Sequence, residues 1–104
     1  MEAAHRVPYE IIFEPDAIEH LQGFSSRTQS MMLDQIEVQL TYQPDAETRN
    51  RKRLRPNPLV PWELCIGEIR VFYDVNAGAA SVRVIAVGRK EGNRLIIGGE
   101  EVSL

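Results

Sequence analysis

Basic side chains gather in two parts of this 104-residue sequence, and their chemistry suits a phosphate group. The second and shorter cluster lies in the run 88–94, which holds Arg89 and Lys90. The first has five basic residues in seven positions: Arg49, Arg51, Lys52, Arg53 and Arg55. Clustered cations repel one another, and a bound polyanion relieves the repulsion and releases its counterions. The pattern therefore favours a phosphate-bearing partner.

The net charge of the whole chain hides this feature, because it is -3 at pH 7. Residues 1–48 carry two basic and nine acidic side chains, whereas residues 49–104 carry ten basic and six acidic ones. Such asymmetry is typical of a protein with one polyanion-facing surface. A charged loop kept in water by its own repulsion is the alternative explanation.

Length and composition predict a single domain of residues 1–104 in the cytoplasm. The hydrophobic content of 43% is ordinary for a globular domain of this size. The only cysteine, Cys65, excludes an internal disulfide and a CxxC zinc or redox motif, which favours a reducing compartment. Since no apolar run approaches the roughly 18 residues of a membrane span, we expect no membrane contact. His5 and His20 have no metal-ligand spacing with Cys65, so we expect no bound metal.

The N-terminal half predicts one strand followed by two helices. Residues 7–13 are rich in β-branched and aromatic types and form the expected strand. Pro15 suits the first turn of a short helix that ends near Gly23. A second helix, capped by Ser25 or Ser26, has an apolar stripe formed by Met32, Leu33, Ile36 and Leu40. The short link predicts an antiparallel helical hairpin.

The C-terminal half predicts an antiparallel β-meander with strands at 62–66, 69–75 and 81–87. Alternation places Val71 and Tyr73 on one face, and Arg70 and Phe72 on the other. On the last strand it assigns Ala86 to the face of Val82 and Val84. The expected fold class is therefore α+β, with the helices packed on one face of the meander.

Four segments resemble the RelE/ParE superfamily of bacterial and archaeal type II toxins over about residues 9–97. They are Leu54, Trp62-Glu-Leu-x-x-Gly, Ile69-Arg-Val-Phe-Tyr-Asp-Val75 and Val84-Ile-Ala-Val-Gly-Arg-Lys90. The resemblance implies a RelE-like fold and a toxin that a cognate antitoxin neutralises. In the RelE-like branch the toxin enters the ribosomal A site and cuts mRNA without a cofactor. There the 2'-hydroxyl attacks its neighbouring phosphate and leaves a cyclic phosphate.

The resemblance also implies roles for individual residues. Arg70 matches the family's strand arginine, and Lys90 matches the second basic residue of the Gly-basic-basic turn. Both are candidate stabilisers of the transition state, since arginine offers paired hydrogen bonds to phosphate oxygens. The other basic residues of the two clusters are candidate RNA-binding groups: Arg49, Arg51, Lys52, Arg53, Arg55 and Arg89.

Three positions depart from the family's nuclease pattern. Glu63 and Cys65 stand where the best-understood RelE-like nucleases have lysines, and Ile96 stands at the position of a C-terminal tyrosine. A carboxylate near Arg70 can accept the 2'-hydroxyl proton, so Glu63 is a candidate general base. A cross-strand ion pair of Glu63 with Arg70 or Arg83 is the more common arrangement on a sheet face.

The remaining candidate groups have ordinary structural explanations beside the functional ones. Phe72 shares a face with Arg70 and is expected either to stack on a base or to pack in the core. Cys65 has no histidine near it on the predicted strands, so a small buried hydrophobe is expected. His5 and His20 are expected to be ordinary surface residues.

Two other functions stay open from the sequence alone. The departures from the nuclease pattern favour a ParE-like toxin that inhibits DNA gyrase by protein contact. A non-toxic binding module of the same fold is the third possibility. The expected partners are therefore a cognate antitoxin, together with the ribosome and mRNA or with DNA gyrase.

Overall fold

The computed structural model describes residues 7–54 and 61–103. The described chain folds into two helices and one seven-stranded sheet. The helices are α1 (Pro15–Gln22) and α2 (Ser26–Leu40). The strands are β1 (Glu10–Phe13), β2 (Arg51–Arg53), β3 (Trp62–Ile66), β4 (Ile69–Asn76), β5 (Ser81–Glu91), β6 (Arg94–Ile97) and β7 (Glu100–Val102). The predicted order of strand, two helices and meander is confirmed.

The helices begin and end as their residue types predict. Pro15 occupies the first turn of α1, where its missing N–H costs nothing. The Oγ of Ser25 accepts a hydrogen bond from the Thr28 N–H at 3.2 Å and caps α2. The buried stripe of α2 consists of Met32, Ile36 and Leu40. Leu33 was assigned to that stripe, but it is 44% exposed.

Six strands lie in the order β2-β3-β4-β5-β6-β7, and each neighbouring pair is antiparallel. The first strand, β1, joins the sheet beside β5 and runs parallel to it. It pairs with residues 81–84, whereas β6 pairs with residues 88–91. The long strand β5 therefore pairs with β1 along its first part and with β6 along its last part.

A β-bulge in β5 sets which side chains face the helices. Tyr73 lies opposite Val84, whereas Phe72 lies opposite Ala86, so Ile85 is an extra residue. Because of it, Val84 and Val87 are both buried in the core. The assignment of Ala86 to the helix side was wrong, since simple alternation cannot account for an inserted residue.

The bulge also decides the position of Lys90. Arg70 is paired with Gly88, and Lys90 lies two residues further along the same face. Without the bulge, alternation from Val84 would turn Lys90 towards the helices. The strand β5 continues to Glu91, so Lys90 lies in a strand and not in the predicted basic turn.

The core lies between the helices and one face of the sheet. Trp62 and Tyr73 stack there with ring centroids 6.0 Å apart. The Tyr73 hydroxyl donates to the Pro44 carbonyl oxygen at 2.8 Å. Burial raises the pKa of Tyr73 far above its usual value, because ionisation would put a charge in an apolar interior. This tyrosine fastens the segment that follows α2 to the sheet.

Candidate active site

The face of the sheet that lies away from the helices, called here the open face, carries the candidate catalytic residues. Register places Glu63 opposite Phe72, and Cys65 opposite Arg70. Lys52 on the edge strand β2 lies opposite Glu63. Backbone pairing therefore brings residues that are up to 20 positions apart in the sequence, from Lys52 to Phe72, onto one surface.

Arg70 is held in place by the turn that precedes it. Its Nη1 donates to the carbonyl oxygens of Gly67 at 2.7 Å and Ile69 at 3.1 Å. Gly67 has a φ of 60°, which a residue without a side chain adopts at little cost. The Arg70 side chain keeps 19% of its surface exposed. The guanidinium is thus fixed before any ligand arrives, yet it reaches the surface.

Glu63 lies next to Arg70, and the closest approach is 3.7 Å between its Oε2 and the arginine Nε. The two side chains form the cross-strand ion pair that was considered from the sequence. The pair is loose, because charged hydrogen bonds are usually 2.7–2.9 Å long. Arg83, the other partner considered for Glu63, pairs with Glu14 at 2.7 Å and with Asp74 at 3.6 Å.

Lys90 shares a pocket with Glu63. The pocket has a volume of about 640 Å³ and opens on the open face. Its lining residues come from both ends of the sheet: Leu54, Glu63, Lys90, Asn93, Leu95, Glu101, Val102 and Ser103. The backbone N–H of Lys90 donates to the Glu68 carbonyl oxygen at 2.7 Å. Of the three residues predicted to be catalytic, Glu63 therefore lies beside Arg70 and shares a pocket with Lys90, while Arg70 does not line that pocket.

The described part of the basic segment, residues 49–54, does not form one cationic surface. Its centre is the strand β2, whose side chains alternate between the two faces of the sheet. Lys52 is exposed on the open face, and Arg49 is exposed in the turn before β2. Arg55 lies outside the described residues. Only part of the predicted RNA-binding segment thus accompanies Arg70.

Arg51 was predicted to bind RNA, and its placement contradicts that role. It is 9% exposed and lies on the helix side. Its Nε donates to the Ala46 carbonyl oxygen at 3.1 Å, and Nη1 donates to the Gln39 carbonyl oxygen. Arg51 therefore satisfies carbonyl groups at and beyond the end of α2, where helices leave such groups unpaired.

Arg53 and Arg89 are exposed, but both lie on the helix side of the sheet. The guanidinium carbon of Arg53 lies 5.7 Å from the Trp62 ring centroid, within range of a cation–π contact. The Nε of Arg89 lies 2.8 Å from the Glu91 carboxylate. Any RNA contact by these two arginines would be made on a different surface from that of Arg70.

Phe72 is on the open face but has no exposed surface. The hypothesis that it stacks on a base is therefore wrong, and the alternative of a packed side chain holds. Cys65 is partly buried next to Arg70 in register. Among residues 7–54 and 61–103, no group of three or more His, Cys, Asp or Glu side chains is arranged to hold a metal ion. Neither of the described helices is long and apolar enough to cross a membrane.

His20 is a residue whose structural role the sequence did not indicate. Its Nδ1 accepts a hydrogen bond from the Val87 N–H at 3.2 Å, which links α1 to the end of the bulge in β5. This contact spans 67 positions, so no local pattern reveals it. His5 lies outside the described residues.

The fold matches solved structures of RelE toxins. In the RelBE2 toxin–antitoxin complex of Mycobacterium tuberculosis, the match has a TM-score of 0.70 at 22% identity, over 81% of this chain and 93% of that chain. The archaeal RelE–RelB complex of Pyrococcus horikoshii matches with a TM-score of 0.65 at 17% identity, over 84% and 99%. A variant of the E. coli toxin RelE in the free state matches with a TM-score of 0.65 at 22% identity, over 84% of this chain and 88% of that chain.

Comparison by sequence gives no such match. No protein-family model matches the chain, and the search of the curated proteins finds no significant relative. The likeness is therefore one of fold: a strand, two helices and an antiparallel sheet in the RelE arrangement. The chain has a RelE-like fold.

Proposed function

We propose that this chain is the toxin of a type II toxin–antitoxin system and that it cuts mRNA on the ribosome. The RelE-like fold supports the class of protein. The observation that carries the reaction is the arrangement on the open face, where Arg70 is fixed by two carbonyl oxygens and lies 3.7 Å from Glu63. Lys90 shares a pocket with that glutamate.

The proposed reaction needs two protein functions and no cofactor. Glu63 takes the proton of a ribose 2'-hydroxyl, whose oxygen attacks the neighbouring phosphorus. The bond from phosphorus to the 5'-oxygen breaks, the 5'-oxygen takes up a proton from water, and a cyclic phosphate remains. Arg70 and Lys90 stabilise the negative charge that collects on the phosphoryl oxygens. Removal of one preorganised donor of this kind costs about 2.7 to 4 kcal/mol in other hydrolytic enzymes.

Primer extension on a translated message, after induced expression, tests this proposal. The wild-type protein should create new cleavage ends, and Arg70→Ala should remove them. Arg83→Ala is the matched control, because Arg83 lies on a neighbouring strand and pairs with Glu14 and Asp74 at the surface. If the wild type creates no new cleavage ends in the message, or if Arg70→Ala creates the same cleavage ends as the wild type, the proposed reaction is wrong.

Inhibition of DNA gyrase is a second candidate function, and one observation favours it. Arg51 is internal and Arg53 and Arg89 lie on the helix side, so the cationic surface around Arg70 is smaller than the sequence suggests. A small cationic surface suits contact with a protein better than tracking of an RNA backbone. Loss of gyrase supercoiling with purified protein, without any RNA cleavage, would favour this alternative.

We also propose that a cognate antitoxin binds the chain in the cytoplasm. Two of the matched structures are complexes, the RelBE2 toxin–antitoxin complex and the archaeal RelE–RelB complex. On this chain, a groove of about 370 Å³ lies between β1 and α2 and is lined mainly by apolar residues: Tyr9, Ile11, Phe13, Leu33, Ile36, Glu37 and Thr41. Because Leu33 exposes 44% of its surface there, an apolar antitoxin segment would bury it.

Co-expression with the product of an adjacent reading frame tests this partner. The pair should purify as a complex and relieve growth arrest, and Leu33→Asp should weaken both effects. The matched control is Val38→Asp, since Val38 is also exposed on α2 but does not line the groove. Growth that is never arrested by the chain alone would instead favour a non-toxic binding module.

A further inference from the structure

The pocket beside Glu63 and Lys90 is formed by residues from opposite ends of the sheet. Glu63 belongs to β3 and Val102 to β7, and three strands lie between them. On a flat sheet these strands would be about 19 Å apart, since neighbouring strands are spaced by roughly 4.8 Å. A single pocket of about 640 Å³ reaches both, so the sheet curls around the open face.

One wall of this pocket is apolar. Leu95 pairs with Lys90 on one side and with Val102 on the other. Leu54 lines the pocket from the segment that follows β2. Leu95, Val102 and Leu54 are each partly exposed, so their apolar surfaces are available to a ligand. A flat ring against such a wall would gain the free energy of apolar burial.

The rim of the pocket is polar and can recognise the edge of a ring. Asn93 lies in the turn between β5 and β6, and its neighbour Gly92 has a φ of 64°. An asparagine amide offers one donor and one acceptor side by side. Glu101 also lines the pocket, and while one of its carboxylate oxygens accepts from the Arg94 Nε at 3.2 Å, the other can accept a hydrogen bond from a ligand. This set of groups favours a ligand edge that presents an amino group next to an acceptor.

We propose that this pocket holds the base of the nucleotide next to the cleaved bond, with a preference for adenine. The inference rests on the proposed RNA cleavage, since it takes Arg70 and Lys90 as the groups that bind the phosphate. Adenine presents an N6 amino donor beside the N7 acceptor, and an asparagine amide pairs with both. Guanine presents two acceptors at the same edge, and uracil and cytosine have smaller rings that cover less of the apolar wall. Asn93 is the specificity-determining residue.

The test is a titration of the purified protein with three probes, in which binding is measured from the shifts of amide NMR signals. The probes are adenosine 3'-monophosphate, uridine 3'-monophosphate and inorganic phosphate. The adenosine compound should move the amide signals of Leu95 and Val102 and bind about tenfold more tightly than the uridine compound, while phosphate should leave these two signals in place. Asn93→Ala should remove the tenfold preference.

Two further variants make the titration decisive. Val102→Trp fills the pocket, so it should lower the affinity for both nucleotides to that for phosphate alone. Asn76→Ala is the matched control, because Asn76 is the last residue of β4 and does not line the pocket. Equal affinity for the two nucleotides, or an unchanged preference in Asn93→Ala, would overturn the inference.

Mapping of cleavage ends separates this inference from the proposed function. If the wild type cuts messages, the cut sites should be enriched in adenine, and Asn93→Ala should cut with the enrichment lost. If the wild type cuts nothing, the proposed function fails, and the titration still decides whether the pocket selects adenine. If the wild type and Asn93→Ala both cut messages without any base preference, the adenine preference of the pocket is wrong and the proposed cleavage still holds.

Discussion

Arg51 and Arg70 lie on opposite faces of the sheet, and each guanidinium donates to main-chain carbonyl oxygens. Arg51 is 9% exposed and holds the chain that follows α2. Arg70 keeps 19% of its side chain exposed and has Glu63 at 3.7 Å. The same residue type therefore fastens the fold on the helix side and presents charge on the open face. A cluster of cations in the sequence therefore does not indicate which of them is exposed to solvent.

Glu63→Gln should have a large effect on the reaction at the open face. If Glu63 accepts the 2'-hydroxyl proton, the amide cannot replace it, and the cleavage rate should fall by about 10²-fold or more. Single-turnover cleavage of a ribosome-bound message measures this rate. A change below about threefold would mean that Glu63 serves only as the ion-pair partner of Arg70.

Arg51→Ala should have the largest effect on the helix side. The substitution leaves the carbonyl oxygens of Gln39 and Ala46 without their charged donor, and hydrogen bonds to charged groups are worth about 1.5–3 kcal/mol. Urea unfolding should show a loss of about 2–3 kcal/mol in the free energy of unfolding. The cleavage rate of the folded fraction should stay within about twofold of the wild type, and a rate that fell as in Glu63→Gln would place Arg51 in the site after all.

Tyr73→Phe should have a smaller effect that depends on pH. It removes the hydrogen bond to the Pro44 carbonyl oxygen, which contributes about 1 kcal/mol, so the variant should be less stable at pH 8. Because burial raises the pKa of Tyr73 in the folded state, its contribution is complete below pH 10, the ordinary value, and declines as the pH rises further.

Urea unfolding of wild type and Tyr73→Phe between pH 8 and pH 11 checks that sign. Above pH 10 the wild type should lose up to about 1.4 kcal/mol per pH unit relative to the variant, and the difference between the two should shrink. A difference that stays constant across this range would mean that the phenol ionises as readily in the folded protein as in the unfolded chain.

Lys52→Ala should have the smallest effect, and it should appear in the salt dependence. Lys52 is exposed on the open face, so we expect it to contact one phosphate. Each phosphate contact with a single strand contributes about -0.7 to the slope of log affinity against log salt. Filter binding of a short RNA should show a slope that is less steep by about that amount. Arg53→Ala, on the helix side, should leave the slope unchanged.

The sequence predicted the elements well because local patterns determine them. The apolar stripe of α2 and the alternation in β4 come from residues that are near neighbours in the chain. The bulge at Ile85 could not be predicted, since an inserted residue shows only when the partner strand is known. That single residue moved Val87 into the core and Lys90 to the open face. The parallel pairing of β1 with β5 likewise depends on residues about 70 positions apart.

The sequence placed the candidate catalytic residues Glu63 and Arg70 on one face of the sheet, but it misplaced some of the candidate RNA-binding residues around them. Glu63 lies beside Arg70 and shares a pocket with Lys90, because the meander was identified and the resemblance supplied Arg70 and Lys90. Arg51 and Phe72 were assigned to the RNA surface and are buried. The carbonyl oxygens that bind Arg51 lie 12 residues away at the end of α2 and 5 residues away in the segment after it, and no charge pattern marks them.

The most direct measurement compares Arg70→Ala and Arg51→Ala in two assays, cleavage of a ribosome-bound message and urea unfolding. We expect each variant to fail in one assay only. Arg70→Ala should lose about 10²- to 10³-fold in cleavage rate with little change in stability, and Arg51→Ala should lose stability with little change in rate. A wild-type rate in Arg70→Ala, with the protein still folded, would contradict the claim that the open-face guanidinium drives the reaction.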